Sequence, residues 1–417
     1  MAQATRTPAA PAAPRVGLAL AGGGPLGAIY EIGALCALEE ALPGLDLNAL
    51  DGYVGVSAGG FVAAGLANGM TPRQLCAAFI DNDGARGDIV RPSLFVRPAL
   101  AEYARRLASL PGLVTMAAYG YIFKGRTSLA SLEHLGRALP AGLFSHAPLE
   151  RRMRQLLAAP GRSNDFRQLQ ARRGHRLVLV ATDLDSGQSA PFGLPGWDHV
   201  PISEAVAASA ALPGLFPPVP IGGHWYVDGA LKKTLHARVL LDMGLDLVLC
   251  LNPLVPFDAS HARGHRVLGQ ADDAIPRLVD GGLPVVLSQT FRTLIHSRLE
   301  LGMKGYEISH PGTDVVLFEP DQRDPAMFLA NTFAYGQRRR LAEHAYQRTR
   351  ADLRSRRGVL GATLARHGLA LDDAALDDAK RSLLKRQRPR GGNRAAHALR
   401  RLDEVLDDLQ RSLAARA

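Results

Sequence analysis

The sequence has only three cysteines and no apolar run suited to crossing a membrane. Cys36, Cys76 and Cys250 are widely separated, which excludes a disulfide framework and a CxxC metal site and favours a reducing compartment. Segments 53–70 and 205–223 reach the length of a membrane span without a charge. However, the first contains five glycines and the second four prolines, so neither predicts a transmembrane helix.

The first residues also lack the apolar core of a secretion signal. Residues 1–14 are rich in alanine and proline, and we expect them to form a flexible leader of a cytoplasmic protein. The rest of the chain is predicted to divide into a main domain over 15–336 and a basic helical extension over 337–417.

The net charge of +10 lies entirely in that extension. Residues 1–336 contain 29 Lys+Arg and 29 Asp+Glu, whereas residues 337–417 contain 20 and 10. Because 43 of the 49 basic residues are arginine, a compositional bias of the genome is one explanation of the excess. The other explanation is a surface that binds an anionic partner.

Alternating strands and helices predict an α/β fold with a mostly parallel sheet. A buried strand over 15–21 precedes a glycine turn over 22–27 and a helix over 28–42, and a second unit follows with a strand over 52–56 and a helix over 57–66. Further strands are predicted over 176–182 and 246–252. Residues 81–175 are interpreted as helices covering the sheet, with an apolar and aromatic patch over 113–123.

The first chemical motif is GxSxG over Gly55–Gly59, between a predicted strand and a helix of small residues. Such glycines allow a serine, here Ser57, to occupy a sharp strained turn where it is exposed to substrate. The start of the next helix would stabilise negative charge at the same place. In a chain with 43 glycines the motif also arises by chance, so its position after a strand matters.

The loop Gly22–Gly27 fits GxGxxG and has two interpretations. A dinucleotide site requires an acidic residue at a strand end about 20 residues further on. Asp46 has the right distance but lies in a Pro-Gly loop. The favoured interpretation is an oxyanion hole, because three consecutive glycines leave their amide groups unshielded.

A catalytic serine also needs a base. Four histidines follow Ser57 without any recognisable motif, at His224, His236, His296 and His310. Asp228 instead ends an apolar run and is followed by Gly229 and Ala230, which is strand-end geometry or, alternatively, a simple Asp-Gly turn. Desolvation or direct contact with the serine would make Asp228 an effective base.

Together these motifs resemble the patatin-like phospholipase family. The resemblance rests on Gly22–Gly27 (GGGPLG), Gly55–Gly59 (GVSAG) and Asp228–Ala230 (DGA). It is reinforced by ATDL over 181–184 with Ser186 and Gly187, and by SAALPGLFPP over 209–218. It covers residues 16–252. It implies a three-layer α/β/α fold and hydrolysis of acyl esters of phospholipids, lysophospholipids or acylglycerols, without a metal or cofactor.

The resemblance also implies the site residues. Ser57 would be the nucleophile and Asp228 the general base, without a histidine. The expected oxyanion hole comprises Gly22, Gly23, Gly24 and Ala58, and the supporting motif residues are Gly27, Gly55, Gly59, Gly229 and Ala230. One departure is Leu26, where the family usually has a basic residue, next to Pro25, which has no amide hydrogen. This departure puts a preference for phospholipid headgroups in doubt.

Two other functions stay open at this stage. One is a lipid-binding or scaffolding module with little turnover, and the other is an esterase that pairs Ser57 with a histidine such as His310. Acyl transfer to an acceptor other than water is not distinguished from hydrolysis.

We expect residues 337–417 to adsorb to the inner face of an anionic membrane. Nucleic-acid binding is disfavoured because pairs of aspartates interrupt the arginines and the segment has no recognition motif. Residues 388–392 are a predicted linker. The following helix has a heptad seam over 395–413 that favours either homo-oligomers or packing on the chain's own body, formed by Ala395, Leu399, Leu402, Leu406, Leu409 and Leu413.

Overall fold

The computed structural model describes residues 14–81, 89–90, 94, 96–124, 136–261, 277–328 and 337–384. Within them, eight strands form one sheet: β1 (Val16–Leu20), β2 (Gly52–Val56), β3 (Arg176–Asp183), β4 (Ser189–Phe192), β5 (Val219–Ile221), β6 (His224–Asp228), β7 (Leu247–Leu251) and β8 (Asp314–Phe318). The order is β5-β6-β3-β2-β1-β7-β8, and β4 also pairs with β3. Strands β3, β2, β1, β7 and β8 are parallel, while β6 and β4 are antiparallel to β3.

The described helices cover both faces of this sheet. They are α1 (Gly24–Ala41), α2 (Ala58–Ala67), α3 (Pro72–Cys76), α4 (Leu100–Lys124), α5 (Ala147–Leu157), α6 (Phe166–Arg173), α7 (Ile202–Ser209), α8 (Arg238–Asp242), α9 (Gly282–Ser309), α10 (Pro325–Phe328), α11 (Arg338–Ser355), α12 (Arg357–Arg366) and α13 (Asp373–Asp377). Helices α1, α2, α5, α7 and α11 pack on one face, and α8 and α9 on the other. The predicted three-layer α/β/α fold with a mostly parallel sheet is confirmed.

Side-chain alternation along each strand explains the two layers. In β1, Leu18 and Leu20 join the larger core beneath α1, whereas Ala19 lies in the smaller core beneath α8. Because successive side chains of a strand point to opposite faces, a strand buried on both sides is apolar throughout. This is why the sequence shows unbroken apolar runs instead of alternating ones.

Two helices extend beyond their predicted limits. Helix α1 begins at Gly24 rather than at residue 28, because Pro25 occupies the first turn, where a missing amide hydrogen is tolerated. Four of the six residues of the predicted glycine turn, 24–27, are therefore helical. The sequence predicts a helix over 98–110, but helix α4 continues to Lys124 and incorporates the apolar patch over 113–123, with Pro111 inside it.

The described part of the predicted basic extension shares the core of the main domain. Ala345 and Tyr346 of α11 are fully buried, and a Cβ placed on Gly33 of α1 would lie 2.5 Å from the Ala342 carbonyl oxygen. The boundary at residue 336 stays a prediction. The predicted linker over 388–392 and the heptad seam over 395–413 lie outside the described residues.

Many arginines of this segment are bound within the fold. The Arg350 guanidinium is buried and donates to the carbonyl oxygens of Ala375, Leu376 and Asp378 at 2.7, 3.0 and 2.8 Å. Others form ion pairs with acidic residues at 2.6 to 3.2 Å, namely Arg339 with Asp81, Arg348 with Asp321, Arg357 with Asp377, Arg366 with Asp314 and Arg381 with Glu40. Much of the local positive charge therefore has a structural role.

Candidate active site

Ser57 lies on a strained turn at the carboxyl end of β2. Its φ of 53° and ψ of −122° belong to a region that side chains disfavour. The flanking glycines allow the chain to fold back here: a Cβ on Gly55 would be 2.5 Å from the Gly60 Cα, and one on Gly59 would be 2.5 Å from the Ala21 carbonyl oxygen. The two motif glycines are thus required by backbone contacts.

Ser209, at the end of α7, holds this turn in place. Its hydroxyl accepts a hydrogen bond from the Ser57 amide at 2.8 Å and donates one to the Val180 carbonyl oxygen at 2.6 Å. Ser209 is fully buried. Ser209 belongs to the SAALPGLFPP motif, but nothing in that motif predicts its contact with the serine turn.

Strand register brings Asp228 next to Ser57. Val56, the residue before Ser57, pairs with Val180 of β3, and the next residue of β3, Ala181, pairs with Asp228 at the end of β6. The Ser57 and Asp228 side chains consequently meet across β3 at one edge of the sheet. A Cβ on Gly229 would lie 2.1 Å from the Val180 carbonyl oxygen, so this turn also requires glycine.

The carboxyl of Asp228 is almost completely buried, and burial raises its pKa to about 6. Two hydrogen-bonding interactions oppose this shift: one with the Ser57 hydroxyl and one with the Ala230 amide, which donates to Oδ1 at 2.9 Å. Asp228 is therefore ionised at neutral pH but is a stronger base than an ordinary aspartate.

The glycine loop lies against the same serine. A Cβ on Gly22 would be 3.1 Å from the Ser57 Cβ and 3.0 Å from the Ala230 Cβ. Gly23 and Gly27 contact the Pro253 ring, where an added Cβ would be 2.7 and 3.0 Å from Cγ. Pro253 has no motif that would have revealed this contact from the sequence.

Two helix starts face the serine turn. Helix α1 begins at Gly24, whose φ is 59°, and α2 begins at Ala58, directly after Ser57. The first amide groups of a helix have no acceptor within the helix and carry its positive dipole end. This arrangement favours negative charge next to Ser57.

His310 and His224 lie away from Ser57. His310 precedes β8 and so lies at the amino ends of the parallel strands, whereas Ser57 follows β2 at their carboxyl ends. The Nε2 atom of His310 lies 3.2 Å from Asp242 Oδ1. A strand of five residues spans about 13 Å, which excludes direct proton transfer between His310 and Ser57. His224 begins β6, four residues before Asp228, and its Nδ1 lies 3.1 Å from Asp183 Oδ2.

The two remaining candidate histidines bind other groups. His296 of α9 lies with Nε2 2.9 Å from the Gln322 amide nitrogen. His236 is buried with Nε2 3.4 Å from the Gly229 carbonyl oxygen, and burial lowers its pKa to about 4. Among the described histidines, none makes a hydrogen bond to Ser57 or Asp228.

Neither a metal-binding cluster nor a membrane-spanning helix is found in the described ranges. There, no group of three or more His, Cys, Asp or Glu side chains is arranged to bind a metal ion. Of the helices in those ranges, none combines the length and the apolar character needed to span a bilayer.

A family model described as Patatin-like phospholipase matches residues 18–241, more than half of the chain. The matched range contains the glycine loop, Ser57 and Asp228. The chain belongs to the patatin-like phospholipase family. Membership implies hydrolase activity on lipid esters.

Two solved structures are similar to this patatin-like chain at low identity. VipD from Legionella pneumophila is 17% identical with a TM-score of 0.36, and the match covers 83% of this chain and 67% of that one. ExoU from Pseudomonas aeruginosa, solved in complex with SpcU, is 20% identical with a TM-score of 0.31, and the match covers 82% of this chain and 53% of that one. The chain thus spans about half the length of ExoU, and no functional conclusion follows from either similarity.

Proposed function

We propose that the chain hydrolyses acyl esters of lipids through a Ser57–Asp228 dyad and an acyl-enzyme. The observation that carries the proposal is the buried Asp228 carboxyl in contact with a serine on a strained turn. Ser57 Oγ attacks the ester carbonyl carbon while an Asp228 carboxylate oxygen takes the hydroxyl proton. The C–O bond to the alcohol then breaks, and the alcohol leaves with that proton.

The oxyanion is stabilised by the amides of Gly23, Gly24 and Ala58. A well-placed donor of this kind contributes roughly 3 to 4 kcal/mol to transition-state stabilisation. Gly22 leaves room for the substrate carbonyl beside Ser57, since its missing Cβ would contact the serine. Water, deprotonated by Asp228, then releases the fatty acid and restores Ser57.

Kinetics of two variants test the dyad. Ser57→Ala and Asp228→Asn should each lose at least about 1000-fold in kcat on a soluble short-chain ester, because each removes one partner of the proton transfer. The matched controls are Ser355→Ala, at the end of α11, and Asp185→Asn, in the turn between β3 and β4, two exposed positions that should retain wild-type rates. Wild-type turnover in either dyad variant would refute the proposal.

The pH dependence of turnover gives a second test. Because the base must be ionised, kcat/KM should rise with pH through about 6, the pKa of Asp228, and level off above it. A profile that is flat from pH 5 to 8 would contradict the assigned base.

We propose a lipid ester as substrate without choosing among phospholipid, lysophospholipid and acylglycerol. Leu26 is buried in the first turn of α1 and brings no charge to the glycine loop, so this position does not select an anionic headgroup. Lipid profiling with the wild type and Ser57→Ala identifies the substrate as the class that is depleted by the wild type alone.

We propose that the last residues of the chain bind an anionic membrane. Since many arginines of residues 337–384 already form hydrogen bonds or ion pairs with other parts of the chain, adsorption is assigned to residues 385–417, which hold nine Lys+Arg against four Asp+Glu. Deleting 385–417 should lower binding to anionic vesicles at low salt and spare hydrolysis of a soluble ester. Unchanged vesicle binding would refute this role.

A further inference from the structure

Helix α4 exposes an unusual concentration of apolar side chains. Of its described side chains only Glu102 is buried. In the distal half Leu113 is partly buried, but six other large apolar residues expose more than half of their surface, namely Val114, Met116, Tyr119, Tyr121, Ile122 and Phe123. We call residues 113–123 the α4 tip. The helix extends about 20 Å from Ser109 to Phe123. Soluble proteins rarely expose apolar residues in such a contiguous group without a binding role.

The exposed residues occupy more than half of the helix circumference instead of a narrow stripe, and the face that carries Leu113 and Ala117 is partly covered. Consecutive residues of a helix point about 100° apart, so Tyr121, Ile122 and Phe123 face three different directions. A helix that docks in a protein groove presents its apolar residues on one face. Helix α9 shows that pattern, with exposed Leu287, Leu294 and Leu301 at intervals of seven residues. The α4 tip instead presents apolar side chains over a wide arc, which suits insertion into lipid better than docking in a protein groove.

The charge of this region matches a lipid surface. Residues 103–132 contain no Asp or Glu, and beyond Arg106 the only charged residues in that range are Lys124 and Arg126. A segment without acidic residues is not repelled by phosphate headgroups. Tyrosine and phenylalanine rings are well suited to the boundary between headgroups and acyl chains.

The base of α4 is connected to the dyad by backbone hydrogen bonds. The Ala99 amide donates to the Leu143 carbonyl oxygen, and the Leu143 amide donates to that of Gly214, each at 3.1 Å. Gly214 belongs to the segment after α7 that also contains Ala211, whose carbonyl oxygen accepts a hydrogen bond from the Asp228 amide at 3.0 Å. The base of α4 is therefore held by the same segment that contacts the Asp228 amide, which places it close to the dyad.

We propose that the α4 tip inserts into the headgroup and outer acyl region of a lipid bilayer and so positions the dyad next to its substrate. The role in substrate supply rests on the proposed lipid hydrolysis, but binding itself does not. Insertion is driven by apolar burial, so it should persist at high salt and on zwitterionic vesicles, unlike adsorption through residues 385–417.

The test uses the full chain and vesicles of a zwitterionic ether phosphatidylcholine, which an esterase cannot hydrolyse, at 0.5 M NaCl. The double variant Ile122→Glu/Phe123→Glu should lower the vesicle partition coefficient about 100-fold, roughly tenfold for each side chain withdrawn from the bilayer. The matched control is Ile308→Glu, an apolar residue of α9 that is 84% exposed and lies near the amino ends of the parallel strands. The control should bind vesicles like the wild type.

Three outcomes would overturn the proposal. Wild-type vesicle binding by the double variant would show that the tip does not insert. A wild-type oligomer that the double variant dissociates would assign the tip to a second copy of the chain. A large fall in Tm of the double variant would mean that the tip is covered by the chain itself. Hydrolysis of a soluble ester should be unchanged in the double variant, because the tip is not part of the dyad. A failure of vesicle binding therefore leaves the catalytic proposal standing. The catalytic proposal fails if the wild type does not hydrolyse the soluble ester.

Discussion

The raised pKa of Asp228 predicts that Asp228→Asn stabilises the protein while abolishing turnover. Above pH 6 the folded chain keeps a buried carboxylate, whereas the unfolded chain exposes it to water. The pKa of Asp228 is about 6 in the folded chain, against an ordinary value of 3.8. At roughly 1.4 kcal/mol per pKa unit, this difference lowers the free energy of unfolding at high pH by about 3 kcal/mol. Asparagine has the same shape and no charge to desolvate, and its side-chain oxygen still accepts from the Ala230 amide.

The sign of the pH dependence follows from proton binding. Between about pH 4 and pH 6 the folded state binds the Asp228 proton and the unfolded state does not, so this group stabilises the wild type as the pH falls. The free energy of unfolding of Asp228→Asn should therefore exceed that of the wild type by about 3 kcal/mol at pH 8. The difference should shrink as the pH falls through 6 and largely vanish near pH 4.

Urea denaturation at several pH values measures this difference, and other titrating groups cancel when the two proteins are compared. Val359→Ala, which shortens a 75% exposed apolar side chain and removes no ionisable group, provides the control, for which the difference from the wild type should stay constant with pH. If the difference in unfolding free energy between the wild type and Asp228→Asn is constant from pH 4.5 to 8, the conclusion that burial raises the pKa of Asp228 is refuted.

Three further predictions concern other contacts. Ser57→Gly should be more stable than Ser57→Ala by roughly 1 to 3 kcal/mol, because only glycine relieves the positive φ; equal Tm values would exclude strain at this turn. Ser209→Ala should lose about 1 to 3 kcal/mol of unfolding free energy in urea and lower kcat, since the Ser57 amide loses its acceptor; a normal kcat would exclude a positioning role. Arg350→Met should expose residues 373–384 to limited proteolysis by removing the donor for three carbonyl oxygens, and an unchanged digestion pattern would contradict this.

The local motifs of the site could be predicted from the sequence because each is short. The strand, glycine and helix pattern around Ser57 specifies a strained turn within a few residues, and the motif at Asp228 specifies a second strand end. That Ser57 and Asp228 lie close together could be predicted only from the family resemblance. In the structure Val56 and Asp228 pair with adjacent residues of β3, and these three segments are far apart in the chain.

Contacts between distant segments escaped the sequence reasoning. Ser209 is 152 residues from the turn that it holds, and neither it nor Pro253 has a local pattern that predicts its partner. Composition was also misleading in the segment that begins with α11. Its arginines suggested a solvent-facing surface, yet Arg350 is buried because backbone carbonyl oxygens satisfy its guanidinium.

Covalent labelling of Ser57 tests the central claim most directly. The full chain is incubated with a fluorophosphonate that carries a long alkyl chain, and the adduct is located by peptide mass spectrometry. The dyad predicts one adduct per chain, on Ser57, absent in Ser57→Ala and formed much more slowly in Asp228→Asn. An adduct on a different residue, or labelling of Ser57→Ala to the wild-type extent, would contradict the account.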